Sequence, residues 1–140
     1  MSERSTIALQ LWTRMIRVVQ RVSRAGGERL RQYGLTPAQF ELLLQIIGHG
    51  SLTQRELTDV LGVTKGSVSQ MVARLEQDGF LSRTAEGAAL RLGLTRAGKT
   101  LVLAIVPEYE AFVAESFASL EPHEQYQLLA LLVKAESDLQ

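Results

Sequence analysis

The 140-residue chain contains no cysteine. That removes disulfides, thiolate metal ligands and thiol-based redox sensing together. Its two histidines, His49 and His123, lie in different segments with no partner at metal-ligand spacing, so both are expected on the surface and no metal site is expected. No apolar run approaches the roughly 18 to 20 residues that span a bilayer, and the N-terminus lacks the charged-then-apolar pattern of a secretory signal. A cytoplasmic protein with no membrane partner is expected. Nucleophile-elbow and phosphate-loop patterns are missing too, and Glu108 and Glu110, two positions apart, do not share a helix face. Nothing reactive is assembled, so neither an enzyme nor a cofactor is expected.

Charge of one sign is also lacking. Fifteen basic and fifteen acidic residues cancel, which at first argues against a nucleic-acid partner, because neutralised phosphates supply most non-specific affinity. The distribution weakens that objection. Residues 1–35 carry seven cations against two carboxylates, residues 51–99 seven against five, and residues 100–140 one against seven. The acidity belongs to the C-terminal segment, so a surface built from the rest can still be basic.

With 46% hydrophobic residues, the chain is long enough for one compact domain with a sizeable core. From Ile7 to Leu30 apolar residues recur at helical spacing through Ile7, Leu11, Met15, Val18 and Val22. Gly26-Gly27 weakens the helix near its end, and Gly34 is a stop. Thr36-Pro37-Ala38-Gln39 is a capping box with proline at the first helical position, opening a helix with Phe40, Leu43, Leu44 and Ile47 inward that ends at 48–50. Thr53-Gln54-Arg55-Glu56 is a second capping box, and the short helix after it turns Leu57, Val60 and Leu61 inward before Gly62. Thr64 caps a third helix, running to Asp78-Gly79, with Val68, Met71, Val72 and Leu75 inward.

Two short helices joined by a tight glycine-containing turn are a helix-turn-helix signature. Phe80–Ala85 and Ala88–Thr95 follow as a hairpin about Glu86-Gly87, and Thr95 opens another helix that Pro107 should kink or split. A last helix from Pro122 has an apolar face too broad for a lone surface helix, so it wants a partner.

Reading base edges needs a helix anchored on one face, with its N-terminal outward residues free for the major groove. With the buried positions assigned, Lys65, Gly66, Ser67, Ser69, Gln70, Ala73 and Arg74 are left outward, and Thr64 at the cap joins the candidates for DNA contact. Gln70 suits bidentate pairing with an adenine edge, Ser67 and Ser69 suit bases or phosphates, and Lys65 and Arg74 suit phosphates. Ser51, Thr53 and Gln54 at the preceding helix start could seat the unit on the backbone. Any short polar helix presents such a face, and helix-turn-helix units also serve as protein-interaction modules. The hairpin directly after the third helix favours DNA.

Taken in order, Leu57-Thr58-Asp59-Val60-Leu61-Gly62-Val63, Ser67 to Glu76, Gly79-Phe80-Leu81-Ser82-Arg83 and Leu94-Thr95-Arg96-Ala97-Gly98-Lys99 resemble the MarR family of bacterial regulators over nearly the whole chain. The fold class so implied is mainly α with a small β-hairpin wing. A winged helix-turn-helix over 36–99 is flanked by dimerisation helices at 1–35 and 100–140. The resemblance implies a homodimer on double-stranded DNA, an inverted-repeat operator, usually repression, and often release by a small amphipathic or phenolic ligand.

One departure stands out. The family's wing usually carries an Asp-x-Arg element whose arginine enters the minor groove, whereas Thr84-Ala85-Glu86-Gly87-Ala88-Ala89 contains no such pair. Arg83 and Arg91 are the nearest cations and join the candidates for DNA contact, although neither occupies that role by position. Weaker or altered wing contacts are expected. Trp12, Met15, Phe40, Tyr109 and Phe112 are candidates to line a ligand pocket, with Arg14 or Arg17 pairing an anionic group; core packing and solvated surface are the plainer roles for them. The rival function is a winged-helix protein-interaction module that no longer binds DNA, which the zero net charge and the missing wing pair would suit.

Overall fold

The computed structural model describes residues 2–139. Helix α1 spans Glu3–Leu30, starting where the Ser2 side chain accepts from the Ser5 amide. It runs unbroken through Gly26-Gly27, because Gly26 is a packing residue: a Cβ there would lie 3.2 Å from the Phe112 ring. A 3-10 turn at Arg31–Tyr33 ends on Gly34 in the left-handed region at φ 73°, where a side chain would be strained.

The capping box of Thr36 and Gln39 opens α2 (Pro37–His49). Phe40, Leu42, Leu43 and Ile46 are its buried positions, while Leu44 and Ile47, expected inward, are only half-buried. The buried stripe is turned from the expected one because α2 is central, packing on α1, α3, α5 and the sheet.

Leu52–Thr53 form a short strand, β1, which the sequence reading does not foresee. Helices α3 (Gln54–Leu61) and α4 (Lys65–Gln77) follow. On α3, Leu57 is fully buried and Leu61 half-buried, but Val60 is 47% exposed rather than inward. A two-turn helix covered on one side buries position i and its i+4 neighbour; i+3 falls past the edge.

The wing consists of β2 (Leu81–Glu86) and β3 (Ala89–Leu94), turning at Gly87-Ala88, one position later than expected. It is part of a three-stranded antiparallel sheet in the order β1-β3-β2, with Leu52 opposite Leu92 and Leu81 opposite Leu94. The hairpin of the sequence reading is therefore extended by one strand.

Helix α5 covers Arg96–Ser116, and Pro107 does not split it. The carbonyl that a proline there leaves unbonded is that of Leu103, an exposed residue, so water can satisfy it. The helix is fixed to the wing at its start. Thr95 N–H donates to the Phe80 carbonyl at 3.0 Å and its hydroxyl to the Gly79 carbonyl at 2.6 Å, while Gly98 N–H donates to the Thr95 hydroxyl at 3.1 Å. Gly98 lies so near the Phe80 backbone that any Cβ would collide with that carbonyl.

The core runs through all of this, joining Leu30 and Leu35 to Leu43, Leu57, Val72, Leu75, Leu92, Val102 and Ile105. Helix α6 (Pro122–Ser137) stands outside it and buries no residue, leaving Tyr126, Leu129, Leu131 and Val133 exposed. The first half of α1 is similar, with Ile7, Leu11, Trp12 and Val19 exposed.

Candidate nucleic-acid interface

Two caps and one turn set the geometry. Thr53 accepts from the Glu56 amide at 3.1 Å while the Glu56 carboxylate accepts from the Thr53 amide at 3.3 Å, closing the capping box of α3. These hydrogen bonds, followed by the nearby Arg91 guanidinium, hold the Glu56 carboxyl below its ordinary range despite an opposing desolvation. Gly62, left-handed at φ 65°, ends α3 by donating to the Thr58 carbonyl. Two residues later Thr64 caps α4, accepting from the Ser67 amide at 3.1 Å and donating to the Ser67 hydroxyl at 3.0 Å.

Helix α4 is thereby fixed by its inner face: Val68, Val72 and Leu75 have no exposed surface. Lys65, Gly66, Ser67, Ser69, Gln70 and Arg74 are all exposed. Gly66, Ser69, Gln70 and Ala73 follow i, i+3, i+4, i+7 and so share one face, turned from the core. Lys65 has no carboxylate at ion-pair distance among the described residues. Arg74 lies 3.2 Å from Asp78 one turn on, yet its side chain is 67% exposed. Gly66 has open space where a Cβ would stand and no positive φ, so neither packing nor backbone conformation within the subunit calls for glycine there.

The remaining candidates are differently placed. Ser51, Thr53 and Gln54 are half-buried. Ser51 accepts from Arg91, and Thr53 is occupied with its cap. Arg83 pairs with Glu76 at 2.8 Å, which raises its pKa further, and Arg91 pairs with both Glu56 and Glu86. Beyond these two arginines the wing tip holds no cation. Sequence reasoning passed over Arg55, which is exposed beside Gln54 with no ion pair among the described residues. Its position inside the capping box was the available signal.

Of the pocket candidates, the fold brings together Phe40, Tyr109 and Phe112. The Phe40 and Tyr109 rings meet edge-on at 4.8 Å, Tyr109 and Phe112 at 5.8 Å, and Arg29 lies 4.8 Å over Phe112. Burial keeps the Tyr109 phenol above its ordinary pKa, with Glu41 adding to the shift. Trp12, Met15, Arg14 and Arg17 are not part of this cluster. Gly26 touches Phe112, and Trp12 lies fourteen residues earlier on the same helix, about 21 Å away at 1.5 Å per residue. Glu108 accepts from the Tyr33 hydroxyl at 2.9 Å and so ties α5 to the 3-10 turn that follows α1.

A model of the MarR family matches residues 33–92. A helix-turn-helix-type transcriptional regulator of Bacillus cereus is 35% identical over 131 residues, 93% of this chain and 89% of that protein. The chain belongs to the MarR family of winged helix-turn-helix regulators. As a MarR-family protein it is a DNA-binding transcriptional regulator, not an enzyme. The transcriptional repressor MdtR of Bacillus subtilis is 29% identical over 79% of this chain and 76% of its own length. Among solved structures, a mutant MarR from E. coli complexed with operator DNA superposes with TM-score 0.84 at 25% identity, covering 96% of this chain and 99% of that one. Bordetella bronchiseptica BpsR, whose DNA binding is regulated by 6-hydroxynicotinic acid, shares the fold at TM-score 0.84 and 23% identity, covering 91% of this chain and 98% of its own. No described helix is long and apolar enough to cross a membrane.

Proposed function

We propose that the protein works as a homodimeric repressor that lays α4 of each subunit into successive major grooves of an inverted-repeat operator, the two helices about 34 to 36 Å apart. The observation that carries this is the division of α4: an inner face with no exposed surface, and an outer one of small, hydrogen-bonding and cationic side chains. On this reading Gln70, Ser67 and Ser69 meet base edges. Lys65, Arg74, Thr64 and Arg55 meet phosphates, and Gly66 lets the backbone approach closely. Segment 36–99 reads DNA, while 1–35 and 100–140 build the dimer through the exposed apolar faces of α1 and α6. The operator complex of the E. coli relative and the repressor activity in the name of the Bacillus subtilis relative support it.

The finer part of the proposal is release by a small amphipathic or phenolic ligand. Such a ligand acts only through its differential affinity for two spacings of the α4 pair. Phe40, Tyr109 and Phe112 would meet it from one subunit, and Trp12, Met15, Arg14 and Arg17 only if the partner's helix delivers them.

Titration of DNA from beside the protein's own coding region at several salt concentrations tests the assignment. Gln70→Ala should relax base preference with little change in salt slope. Lys65→Ala should weaken all sequences alike and lower the slope by about one. Equal, sequence-blind effects of the two would count against base readout by Gln70.

A further inference from the structure

Arg91 lies in the middle strand of the sheet, opposite Thr53 of β1 and Thr84 of β2. Its side chain is 28% exposed, the least among the ion-paired cations. Nε donates to the Ser51 hydroxyl at 2.9 Å and Nη2 to the Ser51 carbonyl at 3.1 Å. Nη1 donates to Glu56 Oε1 at 3.2 Å, and Nε stands 3.4 Å from Glu86 Oε2. One guanidinium thus joins the segment entering β1, the first turn of α3 and the tip of the wing. The Glu56 oxygen it holds is the same atom that accepts from the Thr53 amide in the α3 capping box. The wing is therefore tied to the start of α3 by this cation, as it is to α4 by the Arg83–Glu76 pair, and Arg91 is already surrounded by acceptors.

We propose that Arg91 is a positioning residue of the DNA-binding surface, fixing the wing against the start of α3 through Ser51, Glu56 and Glu86 and making no phosphate contact itself. The inference rests on the DNA-binding reading above. It requires the planar fork of arginine, because the single nitrogen of a lysine cannot stand at once where Nε, Nη1 and Nη2 meet Ser51 and Glu56. The wing then acts as a buttress: its two cations are engaged within the protein, and its tip, Glu86-Gly87-Ala88-Ala89, offers none to a minor groove.

The test uses the full-length protein and a duplex that the wild-type protein enriches from a random-sequence pool, with affinities measured between about 50 and 200 mM salt. Arg91→Met and Arg91→Lys should both bind about tenfold more weakly, on salt slopes parallel to wild type. Lys65→Ala, the phosphate-contact reference, should instead lower the slope by about 0.9. Glu56→Gln keeps a side chain able to close the capping box, and like Glu86→Gln it removes a negative charge near the DNA. Charge alone predicts tighter binding for both; loss of positioning predicts binding about two- to fivefold weaker, and these variants serve equally if Arg91→Met does not fold. A reduced slope for Arg91→Met, full rescue by Arg91→Lys, or tighter binding by the two glutamine variants overturns the proposal. If the wild-type protein enriches no duplex, the DNA-binding reading fails first, whatever Arg91 does.

Discussion

Helices α4 and α6 are both amphipathic, yet they end up in opposite states. On α4, Val68, Val72 and Leu75 have no exposed surface; on α6, Tyr126 is 76% exposed and no residue is buried. The winged helix-turn-helix completes its own core, with α2, α5 and the sheet around it. The apolar faces of α6 and of the first half of α1 stay exposed among the described residues, although leaving so much apolar surface wet is unfavourable. On the proposed reading, DNA recognition and subunit pairing are separated along the chain, and the two regions should respond differently to damage.

The largest effect should come from the inner face of α4. Leu75→Ala should cost about 2–5 kcal/mol of unfolding free energy, by lost burial and a residual cavity, and the loss should not depend on protein concentration. Leu129→Ala on α6 should instead act through subunit pairing, so its shift in melting temperature should shrink as protein concentration rises. Thermal melts of both over a hundredfold dilution range decide this; a concentration-independent loss for Leu129→Ala would break the contrast.

Gly98→Ala lies at the seam between the regions, where α5 starts against Phe80. Forcing a methyl into that contact should cost about 1–3 kcal/mol by denaturant titration. A neutral substitution would mean that α5 can shift without penalty.

Thr53→Ala removes half of the α3 capping box and should cost about 1 kcal/mol. It also bears on pH. The Glu56 carboxyl is held below its ordinary value in the folded state, so its contribution is present above that ordinary value and fades as pH falls through the lowered one. Stability of Thr53→Ala should therefore depend less on pH in that acid window than wild type does. Parallel acid-unfolding curves would sink the assignment.

The smallest expected change in stability has an unusual sign. Gly66→Ala should stabilise the fold by about 0.5–1 kcal/mol, since glycine is a poor helix residue and the site has room. It should nevertheless weaken DNA binding, because the methyl stands where the nucleic acid would approach. Tighter binding together with the added stability would remove Gly66 from the interface.

The elements with strong local signals were legible in the residues themselves. Thr36, Thr53, Thr64 and Thr95 each mark a helix start, and each accepts the expected amide. What escaped lacked a local signal. A two-residue strand such as β1 has no periodicity to detect, and Val60 fits a helical stripe whether or not anything covers that side. Gly26 looked like a weakness because its compensation, the Phe112 ring, lies far along the chain on α5.

By itself, then, the sequence determined which segments are α-helices, where α2 to α6 start, and which face of α4 is polar, since caps and helical periodicity act over three or four residues. Only the tertiary structure decided where the charges are used. Arg83 and Arg91 look alike as free wing cations in the sequence, but one is held by Glu76 and the other by Ser51, Glu56 and Glu86. The physical reason is range: ion pairs and sheet contacts form between residues up to forty positions apart, and no local pattern encodes which distant acceptor a guanidinium will meet.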